Sequence, residues 1–137
     1  ALGWGHGTRL LRLPTLPARP MLLLVPATRV STAAAYGWID EMRAGTDRGA
    51  VALDPDLLGD RSDIARIAGN AFEAALLGRH PELKGAFEAL AGTGPLLCRM
   101  SGSGSALFAV YRDERRRDDA VAQLGSRHGE VLATTTG

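Results

Sequence analysis

The chain has 137 residues, a formal net charge of +1, 45% hydrophobic and 23% charged residues, and a single cysteine, Cys98. Its length suits one domain around one modest core, and its composition lies far from that of disordered chains. Near-neutral charge leaves no electrostatic case for nucleic acid, one cysteine excludes an intrachain disulfide and most thiolate metal sites, and no apolar run reaches membrane-spanning length.

The first ten residues, ALGWGHGTRL, lack the charged-then-apolar layout of a secretory leader, and a cytoplasmic location is the expectation. The missing initiator Met raises the further expectation that the chain is a piece of something longer. TRLLRLPTLP (8–17) reads as an extended segment closed by prolines, which remove ladder donors. MLLLVPA (21–27) is a near-continuous apolar run, the pattern of a strand covered on both faces. Ser31 or Thr32 suits the N-cap of a helix over 33–43, which Gly45 ends; 45–56 reads as a loop with a short extended piece. Beyond Asp60, Ile64, Ile67, Ala68, Ala71 and Ala75 recur on one helical face, predicting a single helix from an N-cap at Ser62 to Gly78. Pro81 opens the next helix, Leu83, Phe87 and Leu90 mark its buried side, and Gly92–Gly94 stop it. PLLCRM (95–100) and ALFAVY (106–111) read as strands. DERRRDDAVAQLGSRH (113–128) is a charged helix touching the core through Ala120, Val121 and Leu124, with acids and bases spaced to pair at i, i+4. GEVLATTTG (129–137) is a last, edge strand. The order ββαααββαβ predicts an α+β sandwich, helices on one face of a mostly antiparallel sheet.

Chemistry concentrates in MSGSGSALF, Met100–Phe108. Between two strands, Ser101, Gly102, Ser103, Gly104 and Ser105 fit a plain hairpin loop. They also fit a phosphate cradle, in which glycines admit close backbone approach and successive N–H groups and hydroxyls donate to an anion. The stretch matches neither the P-loop nor the dinucleotide fingerprint, so composition leaves both readings open. His6, His80 and His128 lie far apart without a carboxylate or Cys at ligand spacing, and read as surface or capping residues. Cys98 reads as a small buried hydrophobe. Of Tyr36 and Trp38, one is expected in the core, while a tyrosine ring also offers a flat face for a base.

Four segments in order resemble the GHMP-kinase superfamily, the galactokinase, homoserine kinase and mevalonate kinase group. RMSGSGSALFAVY is similar to its third glycine-rich motif. Within the superfamily the likeness is greatest to the cytidylyl-methylerythritol kinases of the non-mevalonate isoprenoid pathway. GWGHGTRLLRLP resembles their G-x-G-R-G-E-x-L-x-P-L motif, LLLVPATRVSTAAAY their strand followed by P-x-x-x-V-S-T-x-x-A-Y/F, and GNAFE their N-D-L/F-E helix start. His6 and Thr8 stand where that family has Arg and Glu, and Ala71 where it has Asp.

The resemblance implies a ferredoxin-like C-terminal domain spanning 1–137, a GHMP-kinase half without its ATP-binding and catalytic half. No G-L-G-G-G-S-S loop is present, and Lys84 is the only lysine. It implies a parent enzyme using ATP and Mg²⁺ to phosphorylate the 2-hydroxyl of a cytidine diphosphate-linked sugar alcohol, with this half inactive alone and holding no cofactor or metal. Tyr36 would stack on cytosine, Ser31 and Thr32 would bind substrate, and Ser101–Ser105 would shape the cleft between domains; no catalytic residue is assigned here. The missing domain is the expected partner, with self-association through the apolar surface it would cover. Two alternatives stay open: a kinase half for a homoserine- or mevalonate-like alcohol, and a non-catalytic ferredoxin-like module that binds a ligand or dimerises.

Overall fold

The structure, a computed structural model, describes residues 2–4, 6, 8–12, 15–44, 55–59 and 61–136, and separates into two compact units. The smaller unit comprises residues 1–17 and 49–68. In it β1 (Leu2–Trp4) and β2 (Arg9–Leu11) pair antiparallel, and a 3-10 turn at Pro55–Gly59 packs on helix α2 (Arg61–Ile67). The extended segment expected over 8–17 is thus a short strand, with β1 as a hairpin partner that three residues containing a glycine did not signal. The end expected at Gly45 and most of the loop over 45–56 lie outside the described residues.

The larger unit holds β3 (Pro20–Val25), α1 (Thr32–Arg43), α3 (Ala71–Leu77), α4 (Pro81–Ala91), β4 (Leu97–Met100), β5 (Leu107–Val110), α5 (Glu114–Leu124) and β6 (Glu130–Thr135). Its sheet runs β4-β5-β3-β6, antiparallel throughout, with Leu22 opposite Ala109 and Ala133, and Cys98 opposite Ala109. This is the ferredoxin-like order, with β6 at an edge as expected. Alternation then decides burial, because successive strand side chains point to opposite faces. Leu22, Leu24, Cys98, Met100, Leu107 and Ala109 form the buried face. Upon it sit Ala35 and Ile39 of α1, Ala75 and Leu76 of α3, Leu83, Ala86 and Leu90 of α4, and Ala120 and Leu124 of α5. Each fully buried leucine contributes about 1.5–3 kcal/mol. Helices on one face also correct the expectation that MLLLVPA is covered on both: Met21 and Leu23 are half-buried and Val25 is exposed.

The single helix expected from Ser62 to Gly78 is two. α2 begins at Arg61, so Ser62 lies inside it, and the helical path stops over Ala68, Gly69 and Asn70. Gly69 is a weak helix former, and Asn70 caps a new helix by accepting the Phe72 N–H at 2.9 Å on its side-chain oxygen. Apolar spacing ran on across the break, but cap chemistry overrode it. On α5, Asp113 accepts the Arg116 N–H, and Arg117 bonds its neighbour Asp118 and the Thr134 carbonyl, in place of the i, i+4 pairing expected for Arg117.

Cys98 is 8% exposed, and burial pushes its thiol up to about 12, aided by the Glu73 charge and opposed by Arg99. Burial also raises the Tyr111 phenol, whose hydroxyl lies 2.6 Å from that of Thr93. Native Cys98 should therefore react with a thiol-specific disulfide reagent far more slowly than the urea-unfolded chain at pH 8. The linkage has a definite sign. From the ordinary thiol value of 9.0 up to about 12, the unfolded chain releases a proton that the folded chain keeps, so stability falls as pH rises through that window. Urea midpoints measured at pH 8 and 10.5 check this, and equal midpoints would contradict it.

Candidate functional site

Residues 101–106 form the loop between β4 and β5. Ser101 closes it, its N–H donating to the Ala106 carbonyl at 2.8 Å and its carbonyl accepting the Gly104 N–H at 3.0 Å. Gly104 (φ +86°) lies flat on the core; a Cβ there would stand 2.7 Å from Leu76 Cδ2 and 2.9 Å from Met100 Sδ. The N–H groups of Gly102, Ser103 and Ser105 have no acceptor among the described residues. Three free amides and the hydroxyls of Ser101 and Ser103 in one short turn make a surface of donors, which suits an anion.

Three elements hold this loop. From α1, the Thr32 hydroxyl meets the Ser103 hydroxyl at 3.1 Å. From the β3–α1 connection, the Thr28 carbonyl accepts the Ser105 hydroxyl at 2.5 Å. From α3, Asn70 Nδ2 donates to the Met100 and Gly102 carbonyls, both at 2.8 Å, while Glu73 accepts the Met100 N–H at 2.8 Å.

Tyr36 is 56% exposed and stands four residues after Thr32, hence on the same side of α1. Its ring meets Phe72 edge-on, centroids 5.0 Å apart, which leaves an aromatic face toward solvent. Trp38 is the half-buried aromatic of the pair, under Arg79 at 5.4 Å and beside His80 at 5.6 Å. Ser31 is the N-cap residue of α1 by position, yet its hydroxyl makes no cap bond, and Thr32 is the first helical residue. Of the residues singled out in the sequence, the structure therefore joins Thr32 directly to Ser103 and sets Tyr36 on the same side of α1 as Thr32; Ser31 is exposed at the helix start. His6 is exposed, and His80 stands at the N-cap of α4 with Nδ1 3.1 Å from the Glu82 carboxylate. That carboxyl is held below the usual range, first by its own backbone N–H and then by His80.

Asn70 and Glu73 entered the sequence reading only through the GNAFE resemblance, with no role at the loop assigned to them. One signal was available: Asn after Gly, ahead of an apolar helical run and three residues before Glu, is a helix-start pattern. In the usual capping box the acid turns back to its own helix. Here Glu73 reaches the sheet instead. Among the described residues, no group of three His, Cys, Asp or Glu could hold a metal ion, and no helix is long and apolar enough to cross a membrane.

Residues 50–131 match the family model "GHMP kinases C terminal". The chain is 32% identical, over 91% of its length, to the 4-diphosphocytidyl-2-C-methyl-D-erythritol kinase of Solibacter usitatus, covering 41% of that protein. It is 38% identical, over 82% of its length, to the kinase of the same name from Nitratidesulfovibrio vulgaris, covering 39% of it. A crystal structure of 4-(cytidine 5'-diphospho)-2C-methyl-D-erythritol kinase superposes with a TM-score of 0.73 at 29% identity, over 97% of this chain and 48% of that one. The chain thus spans less than half the length of the relatives it matches.

Proposed function

Because the chain belongs to the GHMP kinase C-terminal family, we propose that it is the substrate-side half of an ATP-dependent kinase that phosphorylates the 2-hydroxyl of 4-diphosphocytidyl-2-C-methyl-D-erythritol. One observation carries this reading: α1 places the exposed ring of Tyr36 on the side from which Thr32 reaches the donor-rich loop. A cytidine diphosphate carries a flat base and an anion, and this surface offers a partner for each. Tyr36 stacks on the cytosine, the Ser31 and Thr32 hydroxyls bind nearby substrate atoms, and the loop amides with the Ser101 and Ser103 hydroxyls face phosphate oxygens, while Ser105 anchors the loop to Thr28.

Phosphoryl transfer rests on positioning and charge neutralisation, so these residues bind and orient while the groups that act on the γ-phosphate belong to an ATP-binding domain. That domain is the loop's partner in the complete enzyme, and a homodimer is the expected outcome for this chain alone. The loop fits the phosphates of ATP as it fits those of the substrate.

The complete gene product should release ADP when given ATP, Mg²⁺ and 4-diphosphocytidyl-2-C-methyl-D-erythritol, while the 137-residue chain should release none. Turnover of homoserine or mevalonate in place of the cytidylyl substrate would overturn the proposal, as would a parent sequence lacking a G-L-G-G-G-S-S loop upstream.

A further inference from the structure

We infer that Asn70 and Glu73 are positioning residues for the loop 101–106, fixing its phosphate-facing amides from the first turn of α3. The inference rests on the reading of that loop as a phosphate cradle. The bonds form a closed set. Glu73 takes the Met100 N–H, and Asn70 takes the carbonyls of Met100 and Gly102, so both backbone groups of Met100 and the carbonyl of Gly102 are committed before the loop turns. The amide of Asn70 has one workable orientation: its nitrogen faces two carbonyls and its oxygen faces the Phe72 N–H. With the Gly102 carbonyl drawn toward α3, the orientation of the next peptide is set, and with it the N–H of Ser103. Neither side chain touches the proposed substrate surface at Tyr36 and Thr32, so both act through the loop.

Substitutions can separate helix capping from loop positioning. Asp caps a helix as well as Asn does, but it offers no donor to the two carbonyls. Asn70→Asp should therefore keep α3 while releasing the loop, and Glu73→Gln, which retains an acceptor for Met100, should rescue what Glu73→Ala loses.

In the 137-residue chain, amide hydrogen exchange read by NMR should rise about tenfold at Met100 in Glu73→Ala and return toward wild type in Glu73→Gln. In Asn70→Asp the resonances of Gly102, Ser103 and Ser105 should shift while the amides of 72–77 stay put. Titration with CDP and with cytidine then tests the link to phosphate: Asn70→Asp should weaken CDP about tenfold and leave cytidine unchanged. Wild-type resonances at Gly102–Ser105 in Asn70→Asp, or an undiminished CDP affinity, would overturn the positioning role. Failure of the wild-type chain to bind CDP and inorganic pyrophosphate, with the resonance changes present, would instead remove the phosphate reading and leave the two residues as a structural clip.

Discussion

Gly129→Ala should be the most damaging single methyl in the larger unit, costing about 2–6 kcal/mol from backbone strain and overpacking together. The residue sits at φ +137°, a region open to glycine, where the α5–β6 turn enters β6. A Cβ there would fall inside the contact shell of the Val25 carbonyl oxygen and 2.8 Å from Pro26 Cα. Both obstacles are backbone, so no rotamer change relieves them, and the next residue, Glu130, is already registered opposite Val25. Gly125→Ala is the control: it also has positive φ, at +54°, but a Cβ meets nothing within 4 Å, and about 1–2 kcal/mol is expected. Urea denaturation of both variants decides the matter. Equal losses would mean that the turn at Gly129 yields.

Tyr36→Ala should weaken cytidine nucleotide binding to the complete enzyme by about 5- to 150-fold, the range for losing 1–3 kcal/mol of base stacking. Tyr36→Phe should retain most of the affinity, since the ring face makes the contact. The ring is 56% exposed, so removing it from the native fold costs chiefly its edge contact with Phe72, about 0.5–1.5 kcal/mol. A large loss of affinity with a small loss of stability is the signature expected of a binding surface. A kinase half for homoserine or mevalonate would show no cytidine effect. Isothermal titration with CDP, paired with a thermal melt, separates these outcomes.

Elements whose apolar pattern and end signals agree were legible in the sequence. Pro81 and Gly92 bracket α4, the apolar stripe of α5 is Ala120, Val121 and Leu124, and β4 and β5 flank their loop as read. Where two local signals disagreed, the reading failed: the apolar face through Ile64, Ala68, Ala71 and Ala75 spoke for one helix, and Gly69-Asn70 made two. The loop at 101–106 declared itself by composition. Its supports did not, because Asn70, Glu73, Thr28 and Thr32 reach it from about 30 to 80 residues away, beyond any local period. The same distance hid the one-sided burial of β3, which depends on which face the helices cover.

The place of β3 in the sheet has a consequence for synthesis. Leu22 and Leu23 precede all of their partners, which are Ala109 and Phe108 on one side and Ala133 and Leu132 on the other. No neighbouring strand exists for β3 until β5 has been made, and its second neighbour, β6, comes later still. The nascent chain therefore carries β3 unpaired while the residues between it and β5 are made. Ribosome-associated holding factors should bind it early and release it late, and stalled chains ending before residue 130 should be aggregation-prone and protease-sensitive.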